Sequence, residues 1–372
     1  MTKRSTVGPN PLKPADREQD DVDAVLILSF GGPESPGDVM EFLRNVTRGR
    51  NVPDERLAEV AEQYELFGGR SPINDQCRAL AAALRQRLVA GGRELPVYFG
   101  ARNWHPYVTD TVQQMADDGI RRAAVFVTSA FGSYSGCRQY QEDMARAQAS
   151  VDQAAESTGG APAPRLQKLR LFYNHPGFIE PMVEATAAGI DRISDTTNPT
   201  ILFSAHSIPT SMAQTCDYES QLAEAARLIM EGLTERSSVA VHKARWNHEV
   251  VYQSRSGPAH VRWLEPDIND RLVNLAAEGV DGVVVVPLGF TSDHMEVMFD
   301  LDTQAAQTAE AHGLTMTRVP TVGTNDRYVD MVVELIDELV SGQTPVAIGE
   351  HGVWPTPCPE GHCPPPAGRR PR

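Results

Sequence analysis

The chain has 372 residues, with 34 basic and 49 acidic side chains and a net charge of −15. That charge opposes non-specific binding to nucleic acid or to an anionic membrane surface, and an anionic ligand would have to be met by locally concentrated arginine. No stretch approaches the ~20 apolar residues of a membrane span, Met1 to Asp21 holds no apolar signal core, and the five cysteines are too few and scattered for a secreted disulfide framework.

A cytoplasmic protein of two domains is the expectation. Residues 1–22 read as a disordered tail. The apolar run Ala24–Phe30 predicts a buried strand ended by Gly31-Gly32-Pro33. Val39, Phe42, Leu43 and Val46 fall at helical spacing from about residue 36, and a second helix covers 54–66. Ser71-Pro72 places an N-cap before a proline at the first helical position, opening a helix to about Leu88. Neither GxGxxG nor GxxxxGK[ST] follows the Gly31-Gly32 pair, which argues against a nucleotide site.

An internal echo follows. Val97-Tyr98, Arg102, Trp104 and Pro106 lead through a helix to Gly119 and the strand 123–127; Val251-Tyr252, Arg255, Trp263 and Pro266 lead through a helix to Gly279 and the strand Val283–Val286. Proline to glycine is thirteen residues in both, and glycine to strand is four. This predicts two domains of one βαβ design: an α/β fold of two similar Rossmann-like units, each a parallel sheet flanked by helices, with a cleft between them. The first unit spans 23–160 and the second 161–341, with 147–165 as a linker rich in small residues and prolines. A final helix over 326–339 could pack back on the first unit, and 342–372 is a Pro- and Cys-containing tail whose ending, 364–372, cannot form a core element.

Two strand ends carry the chemistry. The strand 201–204 runs into Ala205-His206-Ser207-Ile208-Pro209, and Val283–Val286 opens into Pro287-Leu288-Gly289-Phe290-Thr291-Ser292-Asp293-His294-Met295-Glu296. Ligands of parallel sheets bind at the carboxyl ends of strands. His206 and Glu296 in one cleft would suit proton transfer and a borderline divalent metal such as Fe²⁺. Taken singly, His206 reads equally as a core histidine, Glu296 as a first-turn acid, and Asp293, Asp300 and Asp302 as solvated groups.

Together these segments resemble the ferrochelatase family. The resemblance is carried by Leu28–Pro33, Phe67–Ile73, Phe203–Pro209, Val251–Arg255 with Gly257-Pro258, Trp263-Leu264 with Pro266, and Pro287–Glu296, in order from Ala24 to Leu339. It implies the two-domain chelatase fold and insertion of Fe²⁺ into a porphyrin. It is similar to the actinobacterial branch, for which the substrate is coproporphyrin III; protoporphyrin IX, a non-catalytic haem or metal carrier, and a cobalt chelatase are the alternatives. The resemblance assigns proton acceptance and metal binding to His206 and Glu296, with Asp293, His294 and Asp300 lining an acidic approach and His294 reading equally as a structural residue of the motif. It places Phe30, Arg48, Tyr64, Ser71 and Tyr140 against the substrate. Phe30 stands where some members carry an iron-ligating tyrosine, so that ligation is not expected here. Arg102 is a further cleft candidate, and Arg44, Arg48 and Arg50 form a basic cluster suited to propionates. A downstream haem-pathway enzyme is an expected partner.

The cysteine-rich tail resembles those that hold a [2Fe–2S] cluster in actinobacterial relatives. Cys358 and Cys363, with Cys137 and a ring such as His362 or His175, would make the ligand set, since four soft ligands are usually needed. A degenerate tail without a cluster stands beside that reading. Cys77 and Cys216 read as small buried apolar residues.

Overall fold

The computed structural model describes residues 21–50, 52–235, 246–257 and 260–365. Most of the expected 1–22 tail, the chain end from 366, and Pro258 lie outside the described residues.

Among the described residues, eight strands form two sheets. β1 (Ala24–Ser29), β2 (Val97–Ala101), β3 (Arg122–Val127) and β4 (Arg165–Lys168) lie in the order β2-β1-β3-β4. β5 (Pro199–His206), β6 (Asn247–Gln253), β7 (Gly282–Val286) and β8 (Thr315–Arg318) lie in the order β6-β5-β7-β8. Every pairing is parallel. Helices cover both faces, so the central strands are continuous apolar runs without alternation; every residue of β1 and β7 is buried. The fold is α/β, two parallel sheets flanked by helices, as the alternating pattern predicted.

The sheets share one topology, and the repeat extends to single hydrogen bonds. The helices Val108–Asp117 and Ile268–Ala277 are both ten residues long. Each is followed by a glycine in the left-handed region, Gly119 at φ 78° and Gly279 at φ 83°, where a side chain would be strained. The Ala101 N–H donates to the Pro106 carbonyl at 2.8 Å, and the Tyr252 N–H to the Pro266 carbonyl at 2.9 Å. Ala101 is therefore the counterpart of Tyr252, which corrects the pairing of Val97-Tyr98 with Val251-Tyr252: one pair opens its strand and the other lies near the end of its own. Ala101 pairs with Ser29 and Tyr252 with Ala205, so the next residues, Phe30 and His206, are counterparts too.

The linker expected at 147–165 is mostly helix. The segment Gln139–Thr158 is helical, and Tyr140, Met144, Ala147 and Val151 form its buried stripe. Those spacings of four, three and four residues are helical; the abundance of small residues masked them.

The two units interlock: β4 carries the first sheet to Lys168, beyond the border expected at 160, and the helix that follows it packs on the second sheet. The helix Pro176–Arg192 crosses to the second sheet so closely that a Cβ on Gly189 would come within 2.5 Å of Val319 and 2.9 Å of Val284. The final helix, Asp326–Ser341, lies against the helix Ile73–Ala90, with Arg87 3.0 Å from Asp330 and Arg93 paired with Asp337. One core consequently contains Val25 and Phe126 of the first sheet together with Ile201 and Val284 of the second.

The described part of the tail is built into the protein. Ile348 N–H donates to the Asn174 carbonyl at 2.9 Å, and Asn174 Nδ2 donates to the Gly352 carbonyl at 2.7 Å. A Pro-rich segment cannot pair its own backbone groups, so buried side chains such as Asn174 satisfy them. Cys363 is 2% exposed. Among the described residues no helix is long and apolar enough to cross a membrane.

Candidate active site

β5 and β7 are neighbours in the second sheet, so their carboxyl ends bring together two residues ninety apart in the chain. His206 is the last residue of β5, and Glu296 lies in the first turn of the short helix Met295–Phe299 that follows the loop after β7. His206 Nε2 is 3.6 Å from Glu296 Oε2, with the two side chains 33% and 50% exposed. His206 Nδ1 is 2.5 Å from the Ser207 carbonyl oxygen. A carbonyl can only accept, so the proton sits on Nδ1 and the Nε2 lone pair of the neutral ring faces the carboxylate.

Burial opposes the charged forms of both groups, but their mutual attraction prevails. His206 is raised above its ordinary value by the Glu296 charge and the Ser207 carbonyl, against burial. Glu296 is lowered to about 2 by the His206 charge and hydrogen bond, again against burial. Their mutual stabilisation is complete between the ordinary values, 4.5 for the acid and 6.5 for the imidazole. Above that window it is lost as pH rises through the raised value of His206, and below it as pH falls through about 2, the lowered value of Glu296.

The Glu296 loop is held on several sides. Asp293 Oδ1 accepts from Arg318 Nη1 at 3.1 Å and from Thr321 at 3.3 Å, and the Asp293 N–H donates to Gln76 Oε1 at 2.8 Å. Gln253 Nε2 donates to the Glu296 carbonyl at 3.2 Å. His294 caps the short helix, its Nδ1 accepting the Glu296 N–H at 3.2 Å while its ring packs on Phe290 at 4.9 Å. Asp302 also pairs with Arg318, at 2.6 Å. Of the groups expected along an acidic approach, Asp293 is thus spoken for by Arg318, and His294 serves as a cap.

Asp300 is placed differently. It opens a π-helical turn, Asp300–Ala305, and bonds to the Ser254 hydroxyl. Such turns interrupt helices frequently at functional sites. Burial raises its carboxyl to about 7, opposed by the Ser254 bond and aided by the Glu296 charge. Ser254 itself has φ 62°, a left-handed conformation costing roughly 1–2 kcal/mol in a non-glycine residue. The Asp300 carboxyl is accordingly expected to titrate near pH 7 in ¹³C NMR, with Asp300→Asn removing the signal; a midpoint below 5 would mean that the group is not buried as described.

The first unit supplies an aromatic wall. Phe30, 40% exposed at the position equivalent to His206, meets Phe42 edge to face at 6.4 Å, and Phe42 meets Tyr64 at 6.2 Å and Trp104 at 6.1 Å. The Tyr64 hydroxyl is raised by burial and then by the Glu296 charge, so this wall and the carboxylate lie within electrostatic reach of each other.

Other expected contacts are less open. Ser71 is buried beneath the glycine turn, its N–H donating to the Pro33 carbonyl at 2.9 Å. Arg102 stacks over the buried Tyr140 ring at 3.7 Å and bonds Asp143 at 2.5 Å; its Nη2 is buried without a hydrogen-bond partner. Burial pushes the Tyr140 hydroxyl up to about 12. These two residues are therefore packed under the site, not spread along its surface. Arg44 pairs with Asp54 at 2.8 Å, while Arg48 and Arg50 are exposed. Gln76, Gln253 and Ser254 were not singled out from the sequence, although the last two sit inside the quoted run Val251–Arg255.

The tail thiols converge elsewhere. Cys137 lies beside Cys358, whose hydrogen bond is the main cause lowering the Cys137 thiol to about 6. Cys216 lies beside Cys363. His362 Nδ1 is 3.0 Å from Cys363 Sγ and 3.7 Å from Cys358 Sγ, and its Nε2 is 3.0 Å from Asp217. This corrects the reading of Cys216 as a mere apolar filler, and it leaves the buried His175 apart, bonded through Nδ1 to the Gly177 N–H. Cys77 is buried as expected, its thiol pushed up to about 11. Among the described residues no three His, Cys, Asp or Glu side chains are arranged to hold a metal ion.

The same segments recur in known proteins. The family model "Ferrochelatase" matches residues 22–340. The chain is 53% identical, over 93% of its length and 87% of the relative, to "Coproporphyrin III ferrochelatase" of Frankia alni. It is 47% identical to the protein of that name from Streptomyces coelicolor, over 92% and 93%, and 48% identical to that of Mycolicibacterium smegmatis, over 87% and 91%. A match that runs from the first strand to the final helix, through both strand ends that form the site, places the chain in the ferrochelatase family.

Proposed function

We propose that this chain inserts Fe²⁺ into coproporphyrin III, with His206 accepting pyrrole protons and Glu296 delivering the metal. The observation that carries this reading is the 3.6 Å approach of the His206 Nε2 lone pair to Glu296 Oε2. Two acceptors facing each other repel unless a cation lies between them. A proton satisfies both, and so does Fe²⁺, which binds mixed nitrogen and oxygen donors without great softness preference. The reaction exchanges these very cations: the macrocycle releases two N–H protons and takes up one Fe²⁺, so charge balances. The aromatic wall of Phe30, Phe42 and Tyr64 is suited to the flat ring, whose faces are apolar.

The choice of a tetracarboxylate ring is supported by the names of the relatives and by the exposed Arg48, which lies within electrostatic reach of Tyr107 beside Trp104. Anaerobic turnover with each porphyrin in parallel tests it. Metal insertion into coproporphyrin III with kcat/KM at least tenfold above that for protoporphyrin IX is expected; equal or reversed preference would overturn the assignment.

A [2Fe–2S] cluster takes four soft ligands, two per iron, and four thiols lie in two neighbouring pairs at the tail, which would have to draw together to hold it. Cys137, Cys216, Cys358 and Cys363 are the residues that would hold it, with His362 bracing two of them and Cys216 taking the place expected for a histidine. Bound there, it would supply a one-electron couple and tie the tail to the body of the protein. The visible spectrum of anaerobically purified protein should show cluster bands that Cys216→Ser removes and His362→Ala retains. No bands in the unaltered protein would eliminate the cluster, and the opposite response of the two variants would restore the histidine set.

A further inference from the structure

We propose that Gln76 is a positioning residue that sets the location of the Glu296 carboxylate from across the domain boundary, a role that rests on the assignment of Glu296 to metal delivery. Gln76 lies in the first turn of the helix Ile73–Ala90, in the first unit, yet its Oε1 accepts the N–H of Asp293 in the second, at 2.8 Å. Asp293 is otherwise fixed within its own unit by Arg318 and Thr321, and Glu296 is three residues further on. Thr291, in the same loop, makes the companion tie, its hydroxyl donating to the Thr128 carbonyl at 3.1 Å.

The same helical turn also fixes the opposite wall. Asn74, 1% exposed, accepts the Gly32 N–H at 3.2 Å and donates to the Gly32 and His105 carbonyls at 3.1 Å each. Gly32 follows Phe30 by two residues, and His105 adjoins Trp104. Asn74 therefore holds the aromatic wall while Gln76, two residues along, holds the loop of the carboxylate. The width of the slot between them is referred to one rigid helix terminus. Without the Gln76 Oε1 acceptor the Asp293 N–H would be left to water and the loop could drift. Reacting groups tolerate displacements of about 1 Å poorly.

Three preparations test this: the unaltered protein, Gln76→Leu, which loses the acceptor without adding charge, and Gln76→Glu, which keeps the acceptor. Fe²⁺ and porphyrin are varied separately, and thermal unfolding is followed in parallel. Loss of one hydrogen bond predicts a rise in KM for Fe²⁺ of roughly five- to tenfold in Gln76→Leu, with KM for porphyrin within twofold and restoration in Gln76→Glu. An Fe²⁺ KM within twofold in Gln76→Leu overturns the proposal, as does equal loss of kcat and both KM values in the two variants. If Gln76→Leu does not fold, Gln76→Asn, one methylene too short, carries the same readings. An unaltered protein that inserts no metal would instead refute the functional reading on which the proposal stands.

Discussion

Replacing His206 with alanine is expected to lower kcat by about 10²–10⁴-fold, the usual contribution of a positioned general base. The ring is the nitrogen acceptor at the carboxyl end of β5, and its Nδ1–H is committed to the Ser207 carbonyl, which leaves Nε2 as the proton-accepting atom. Tyr218 secures the backbone behind it, its hydroxyl donating to the His206 carbonyl at 3.0 Å. Alanine removes the acceptor without disturbing that bond. Porphyrin affinity should therefore stay within a few-fold, because the aromatic wall is intact. Glu296→Gln keeps the shape of the side chain and removes its charge; it should raise the KM for Fe²⁺ more than it lowers kcat. It should also lower the His206 pKa, since burial, the largest influence, pushes it down and the Glu296 charge is the main influence holding it up. Full turnover in His206→Ala, measured by the appearance of metalloporphyrin absorbance, would remove this mechanism.

The largest expected effect on stability lies far from the site. Arg170 and Glu338 are 4% and 9% exposed and form a two-pronged pair, Nε to Oε2 at 2.6 Å and Nη2 to Oε1 at 2.8 Å. Arg170 also donates to the carbonyls of Leu171 at 3.1 Å and Val346 at 2.6 Å, so it joins the end of the first sheet, the final helix and the tail. Arg170→Met strands the Glu338 carboxylate in the interior, at a cost of about 3–5 kcal/mol. The double variant Arg170→Met/Glu338→Leu should recover most of that loss, because apolar groups of similar volume need no partner. Urea unfolding of the three proteins measures both effects. A single variant as stable as the parent would show that the carboxylate reaches water after all.

The misread linker and the buried part of the tail share a physical origin. Composition over 147–165 and beyond 341 is dominated by small residues and proline, which carry weak periodic signals, yet Ala147 and Val151 pack in a core and Cys363 is buried. In both places a few contacts with distant segments outweigh local preference. The same holds for the acids near Glu296. Asp293, Asp300 and Asp302 are alike in sequence, and only the position of Arg318 and Ser254 divides them into two neutralised groups and one carboxyl pushed up to about 7.

What the amino-acid order determined by itself was everything encoded locally: the buried strands as unbroken apolar runs, the doubled βαβ design, and the pair of strand ends that hold an imidazole and a carboxylate. Tertiary structure alone decided the exchange of helices between the two units, the partnership of Cys216 with Cys363, the stacking of Arg102 over the buried Tyr140 ring, and the hold of Gln76 on the opposite loop. Periodicity and capping act over a few residues, whereas each of these features is a choice of partner made between surfaces that meet only when the chain has folded.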